Sequence, residues 1–137
     1  MAVTLSTTPS SAATERPVNA WAADATALIC ATSAGVHAGL VMPHAEESTR
    51  MAVAFAISTA LLALAAVALA VRPGPEVSVA AAVLLLGVAA AYLLSRTTGI
   101  PGLTTHREPF DALGVLVTSL EVSGAVLASW PLTRRSN

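Results

Sequence analysis

The sequence predicts an all-α membrane protein: a four-helix transmembrane bundle preceded by a disordered N-terminal tail. Three observations lead there. The 137 residues are 55% hydrophobic and 11% charged, against roughly 45–50% and about 25% in an average soluble domain. The mean hydropathy is +0.72. The apolar residues also gather into four blocks, each close to the roughly 20 residues that a spanning helix requires, instead of spreading as amphipathic stripes. Four such spans nearly exhaust the length, so no separate soluble catalytic domain is expected.

Residues 1–19, "MAVTLSTTPSSAATERPVN", are rich in Ser, Thr, Ala and Pro, and cannot bury enough apolar surface to order themselves. A secretory signal would place a cationic segment directly before an apolar core. Here the first arginine is Arg16, with no apolar core before it, so the tail is expected to remain attached. The four-helix domain is expected over 20–131, followed by a short tail, 132–137.

Span 1, residues 20–42, carries Asp24 and His37 within it. A carboxylate near the start of a helix is favoured by the dipole. Span 2, residues 51–71, contains no charge. "RPGPE" at 72–76 cannot continue a helix, because two prolines and a glycine interrupt it, so spans 2 and 3 form an antiparallel hairpin. Span 3 covers 77–95. The loop "RTTGIPGLTTHREPFD" then leads to span 4, residues 112–130.

Four spans bring both termini to one side. That side, with the 72–76 turn, holds Arg16, Arg72, Arg134 and Arg135, while the other holds Arg50, Arg96 and Arg107. Four against three favours cytoplasmic termini in a bacterial inner membrane under the positive-inside rule. Trp21 and Trp130 fall at one predicted interface and Tyr92 and Phe110 at the other, as aromatic belts do. The seven cations are all arginine, an alanine-rich, lysine-free usage that points to a GC-rich bacterial genome.

Composition also excludes functions. A net charge of −1 with scattered arginines gives no basic footprint for nucleic acid. The single cysteine, Cys30, precludes an internal disulfide or a thiolate-pair metal site.

Polar residues inside the spans carry the functional interest. Glu121 lies in the middle of span 4, ten positions from the nearest other acid. A charge at mid-bilayer costs about 2.5–3.5 kcal/mol even on lenient insertion scales. Gly114, Thr118, Glu121 and Ala125 follow at i, i+4, i+7 and i+11 and share one helical face, so Glu121 is expected on a small, weakly polar stripe turned toward other helices. Its candidate partners are His37, Arg96 and the hydroxyls of Ser33, Ser119 and Ser123. "GVHAG" sets Gly35 and Gly39 four apart, the spacing that lets two helix backbones approach; ordinary packing accounts for both stripes.

Cys30, His37 and His44 recur every seven residues in span 1, within about 40° of one another on a helix. With Met42 nearby, and His106 arriving from the long loop, His37, His44 and His106 are candidate metal or haem ligands, since imidazole and thioether suit copper, zinc and iron. The dense spacings of known metal motifs are missing, and the plainer account is that His44 and His106 are solvated interfacial residues and His37 a hydrogen-bonded helix contact. Which cofactor, if any, the chain binds is left unknown. In the loop, Gly99, Pro101 and Gly102 fold the backbone sharply, which would let Arg96 pair with Glu108 or Asp111 and close the loop over the bundle.

"SRTTGIPG" at 95–102, "HREPFD" at 106–111 and a last span with a central glutamate together resemble a set of small four-span membrane proteins of actinobacteria. Members of that set tend to carry a histidine late in the first span and a Pro-Glu-His-like element just after it. Here the stretch reads "HAGLVMPHAEE", with proline and histidine adjacent and the acids following. The resemblance covers roughly residues 33–130. It implies the four-span topology and interest in Arg96, Glu108, Asp111 and Glu121, and names no reaction.

The expected function is that of a non-enzymatic accessory subunit in the lipid bilayer, binding another membrane protein or a second copy of itself through Gly35/Gly39 and Gly114/Thr118. The alternatives are a small transporter of protons or cations using Glu121, and a metal- or haem-handling protein using His37 and His44. No nucleophile–base pair or paired carboxylates suggest an enzyme.

Overall fold

The computed structural model describes residues 20–103 and 107–133. Four helices make up the fold: α1 (Ala20–Glu47), α2 (Thr49–Val71), α3 (Pro75–Thr97) and α4 (Ala112–Thr133). Each is long and apolar enough to cross a membrane. At 1.5 Å per residue the 23-residue helices extend about 35 Å, more than the roughly 30 Å hydrocarbon core.

The helices run further than the expected spans. The largest difference is in α1, which continues past residue 42 through Pro43 to Glu47. A proline removes one backbone donor, and in membrane helices neighbouring groups can absorb that loss. His44 is therefore a helical residue, with Nδ1 2.9 Å from the Leu40 carbonyl oxygen. Asp24 is exposed and beyond the first turn of α1. Only Ser48 separates α1 from α2. At the opposite end the reversal tightens to Arg72, Pro73 and Gly74, and Pro75 takes the first position of α3 with Glu76 in its first turn. There the missing proline N–H costs nothing and the acid meets the positive end of the dipole.

α1 packs most extensively along α2, and α3 along α4; α1 also packs on α4, which closes the ring, while the α2–α3 seam is thinner. α2 and α4 occupy opposite corners. The core is built from small residues, including Ala27, Cys30 and Ala34 of α1, Ala66 of α2, Ala81 and Ala82 of α3, and Ala125 and Ala128 of α4, around Leu62, Leu69 and Leu85. Large apolar side chains point outward, as with Leu28 at 70% and Leu116 at 67% exposed. That inversion of the soluble pattern suits a hydrocarbon surround, where close backbone approach and van der Waals packing hold helices together.

Two expectations about small residues part company. On α4 the stripe turns inward: Ala125 and Glu121 are buried, and Gly114 abuts Tyr92. Gly35 and Gly39 face outward instead, with nothing within 4 Å of a Cβ placed on either, so within the bundle they pack no helix. The buried face of α1 belongs to Cys30, Ser33, Ala34 and His37. Besides Gly114, a close approach falls at Gly124, where an added Cβ would come within 2.7 Å of Ile29 and 3.0 Å of Leu85.

Candidate functional site: a carboxylate-floored cavity

Glu121 is 1% exposed and among the largest fully buried side chains. Its position follows from the helical period of α4: the same face that carries Gly124 and Ala125 against α1 and α3 also carries Glu121. Among the described residues its partner is Ser33 of α1, whose hydroxyl donates to Oε1 at 2.6 Å. Ser33 is itself fully buried and lies behind a third polar group, with His37 Nδ1 3.4 Å from its Oγ and 2.9 Å from its carbonyl oxygen. The carbonyl can only accept, so the short contact assigns the proton to Nδ1 and leaves the Nε2 lone pair. A polar chain, His37 to Ser33 to Glu121, thus crosses from α1 to α4 inside the apolar core.

The other predicted partners of Glu121 are engaged elsewhere. Ser119 and Ser123 bond carbonyl oxygens four residues back on their own helix. Arg96 binds two loop acids, Nη1 to Glu108 at 2.5 Å and Nη2 to Asp111 at 2.9 Å, the clasp that the loop composition suggested. Its plane also stacks over Tyr92, 4.8 Å from the ring centroid, a cation–π contact. Its Nε is buried with no hydrogen-bond partner among the described residues.

Asp111 works twice. Oδ2 binds Arg96, while Oδ1 accepts from the Gly114 backbone N–H at 2.6 Å, capping the first turn of α4 as an N-cap aspartate does. Gly99 and Gly102 adopt φ of 75° and 83°, the left-handed region open to glycine, and Arg50 donates to the Gly102 carbonyl at 3.2 Å. The loop is thereby fastened to α2, α3 and α4.

Under this loop lies a cavity of about 330 Å³, at the small end of ligand pockets. Glu121, Thr118, Ser58 and His37 line its deep part, Leu40, Phe55 and Val117 contribute apolar wall, and Tyr92, Arg96, Glu108 and Asp111 form the rim. Ser58 and Thr118 bring hydroxyls to the cavity wall. Thr26, Thr32, Thr59, Ser119 and Ser129 each bond the carbonyl four residues back, whereas the Ser58 and Thr118 hydroxyls have no partner among the described residues.

Of the candidate metal ligands, His37 and His44 fall among the described residues, and both border the cavity. His37 and His44 both lie against Phe55, with ring centroids 5.5 and 4.4 Å away, and Met42 is 72% exposed on another face. No group of three or more His, Cys, Asp or Glu side chains suited to a metal occurs among the described residues; His106 lies outside them, as do the two tails and Arg16, Arg134 and Arg135. Sequence reasoning missed Ser58, Phe55 and Gly124. For Gly124 a signal existed, a glycine three residues after a buried acid on the same face; Ser58 in a uniformly apolar helix gave none.

No protein-family model, curated protein or solved structure matches the chain.

Proposed function

We propose that this small multi-pass membrane protein is a carrier that exchanges protons against a cation, with Glu121 as the binding carboxylate. One observation carries the proposal: an acid buried at mid-helix faces a cavity and has a neutral hydroxyl, not a cation, as its partner among the described residues. An ionisable group kept at this depth without charge compensation is expensive, and such groups mark ion and substrate pathways. The rim adds to the argument: Arg96 with Glu108 and Asp111 sums to one positive and two negative charges, which attracts cations and repels anions.

An enzymatic role has little support. Ser33 and His37 are close, but the serine proton goes to Glu121 and the imidazole proton to a backbone carbonyl, the reverse of what an activated nucleophile needs. A metal- or haem-handling role lacks a convergent ligand set among the described residues. The accessory-subunit reading keeps one favouring observation, the outward Gly35 and Gly39, which would admit a helix of a partner or of a second copy; gentle extraction yielding the protein alone at monomer mass would remove it.

The test of the carrier is made in proteoliposomes enclosing a pH-sensitive dye, with outward gradients of sodium, potassium, tetramethylammonium or a primary alkylammonium, the response of protein-free liposomes being subtracted. The parent is expected to acidify the lumen in response to at least one gradient, and Glu121→Gln in response to none. Equal responses from the two proteins, or no response from the parent to any cation, would overturn the proposal.

A further inference from the structure

We infer that the cavity takes a primary amine carrying an apolar body, bound with its ammonium against Glu121 and its hydrocarbon along Leu40, Phe55 and Val117. The inference rests on the cation reading of Glu121 and adds the chemical class of the cation. A bare inorganic ion would need a shell of oxygens, whereas this cavity is bounded mostly by carbon, with its polar atoms gathered at the two ends. An ammonium offers three N–H donors. The deep end supplies acceptors to match: the Glu121 carboxylate and the otherwise unpartnered hydroxyls of Ser58 and Thr118. A quaternary ammonium has no N–H and would leave those hydroxyls unsatisfied.

All titratable groups lining the cavity are consistent with a monocation. α1 contributes His37 and His44, α3 Tyr92 and Arg96, the loop Glu108 and Asp111, and α4 Glu121; α2 contributes none. Arg96 is held at the rim by its two acids and so does not compete for Glu121. Ile100 and Leu103 of the loop also border the cavity and would meet the far end of an extended chain.

The experiment is calorimetric titration of the full chain in nanodiscs at neutral pH, with protein-free nanodiscs subtracted. The probes are n-alkylamines from butyl to octyl, the matching n-alkanols and hexyltrimethylammonium. Affinity for the amines is expected to rise about threefold to fourfold per methylene until the cavity is filled, following roughly 0.8 kcal/mol per buried CH₂. Hexylamine should bind at least tenfold tighter than hexanol, Glu121→Gln should erase that preference, and Thr118→Val should reduce the preference for hexylamine over hexyltrimethylammonium. A Glu121-dependent preference for amines without any gain in chain length overturns the ligand class and leaves the cation reading intact. Equal binding of amine and alcohol overturns the ligand class, and if none of the transport assays, the alkylammonium gradient included, shows Glu121 dependence, both fall together.

Discussion

Replacing Ser33 with alanine deletes the hydroxyl that donates to Glu121 at 2.6 Å between two buried side chains. Interhelical hydrogen bonds in membrane proteins average about 0.6 kcal/mol and reach about 1.7. A short bond to a carboxyl oxygen, shielded from water, belongs at the upper end, so Ser33→Ala is expected to destabilise the bundle by about 1.5 kcal/mol, close to tenfold in the folding equilibrium. Glu121→Met keeps the side-chain length and discards both oxygens. Because the helix stays in an apolar phase whether the bundle is folded or unfolded in micelles, the insertion cost of the acid drops out, and this variant should lose about the same 1.5 kcal/mol as Ser33→Ala. In the methionine background the serine has no acid to serve, and Ser33→Ala should then cost about 0.3 kcal/mol or less, within the usual scatter for independent sites. The coupling across the cycle is therefore about 1.2 kcal/mol or more, measured by reversible unfolding in mixed SDS micelles followed by helical circular dichroism. A coupling under about 0.3 kcal/mol would refute the claim that Ser33 is what accommodates the acid.

The glycines should separate cleanly in the same assay. Gly124→Ala drives a Cβ against Ile29 and Leu85 and should cost about 1–3 kcal/mol through overpacking, while Gly35→Ala and Gly39→Ala meet open space and should be neutral or gain up to about 1 kcal/mol of helix propensity. A cost above that at Gly35 in the isolated monomer would place a neighbour there that the fold does not contain. Arg96→Gln opens the clasp. Glu108 is 32% and Asp111 48% exposed, so the stability loss should be only about 1 kcal/mol, yet amide exchange at 99–103 and 107–110 should accelerate by about tenfold; unchanged exchange would show that Arg50 and the backbone alone hold the loop.

The four spans were legible because lipid solvation is read from composition alone: a run of about 20 apolar residues has few other uses. Helix ends were less so, since α1 continues through Pro43, and the hydropathy of "HAEE" gives no sign that it completes a turn. The inward face of α4 could be read from its small residues together with Glu121, and the pairing of Arg96 with the loop acids from charge and distance along the chain. Gly35 and Gly39 show the limit of that logic. Small residues permit close approach without requiring it, and which face of α1 turns inward is decided by Cys30, Ser33 and His37 meeting α4, a contact across 88 positions for Ser33 and Glu121. Ser58 and Phe55 belong to the cavity only because α2 brings them level with Glu121, and no local pattern encodes that depth.

The link between Ser33 and Glu121 also dictates an order of events during biosynthesis. α1 and α2 are synthesised first, and Ser33 precedes its partner by 88 positions. The acid arrives with the last of the four helices, so its own share of the insertion cost, about 2.5–3.5 kcal/mol, goes without the Ser33 bond until α4 meets α1. The bundle is thus complete only when α4 docks on α1, and a chain arrested before that meeting would leave its glutamate without the Ser33 hydroxyl.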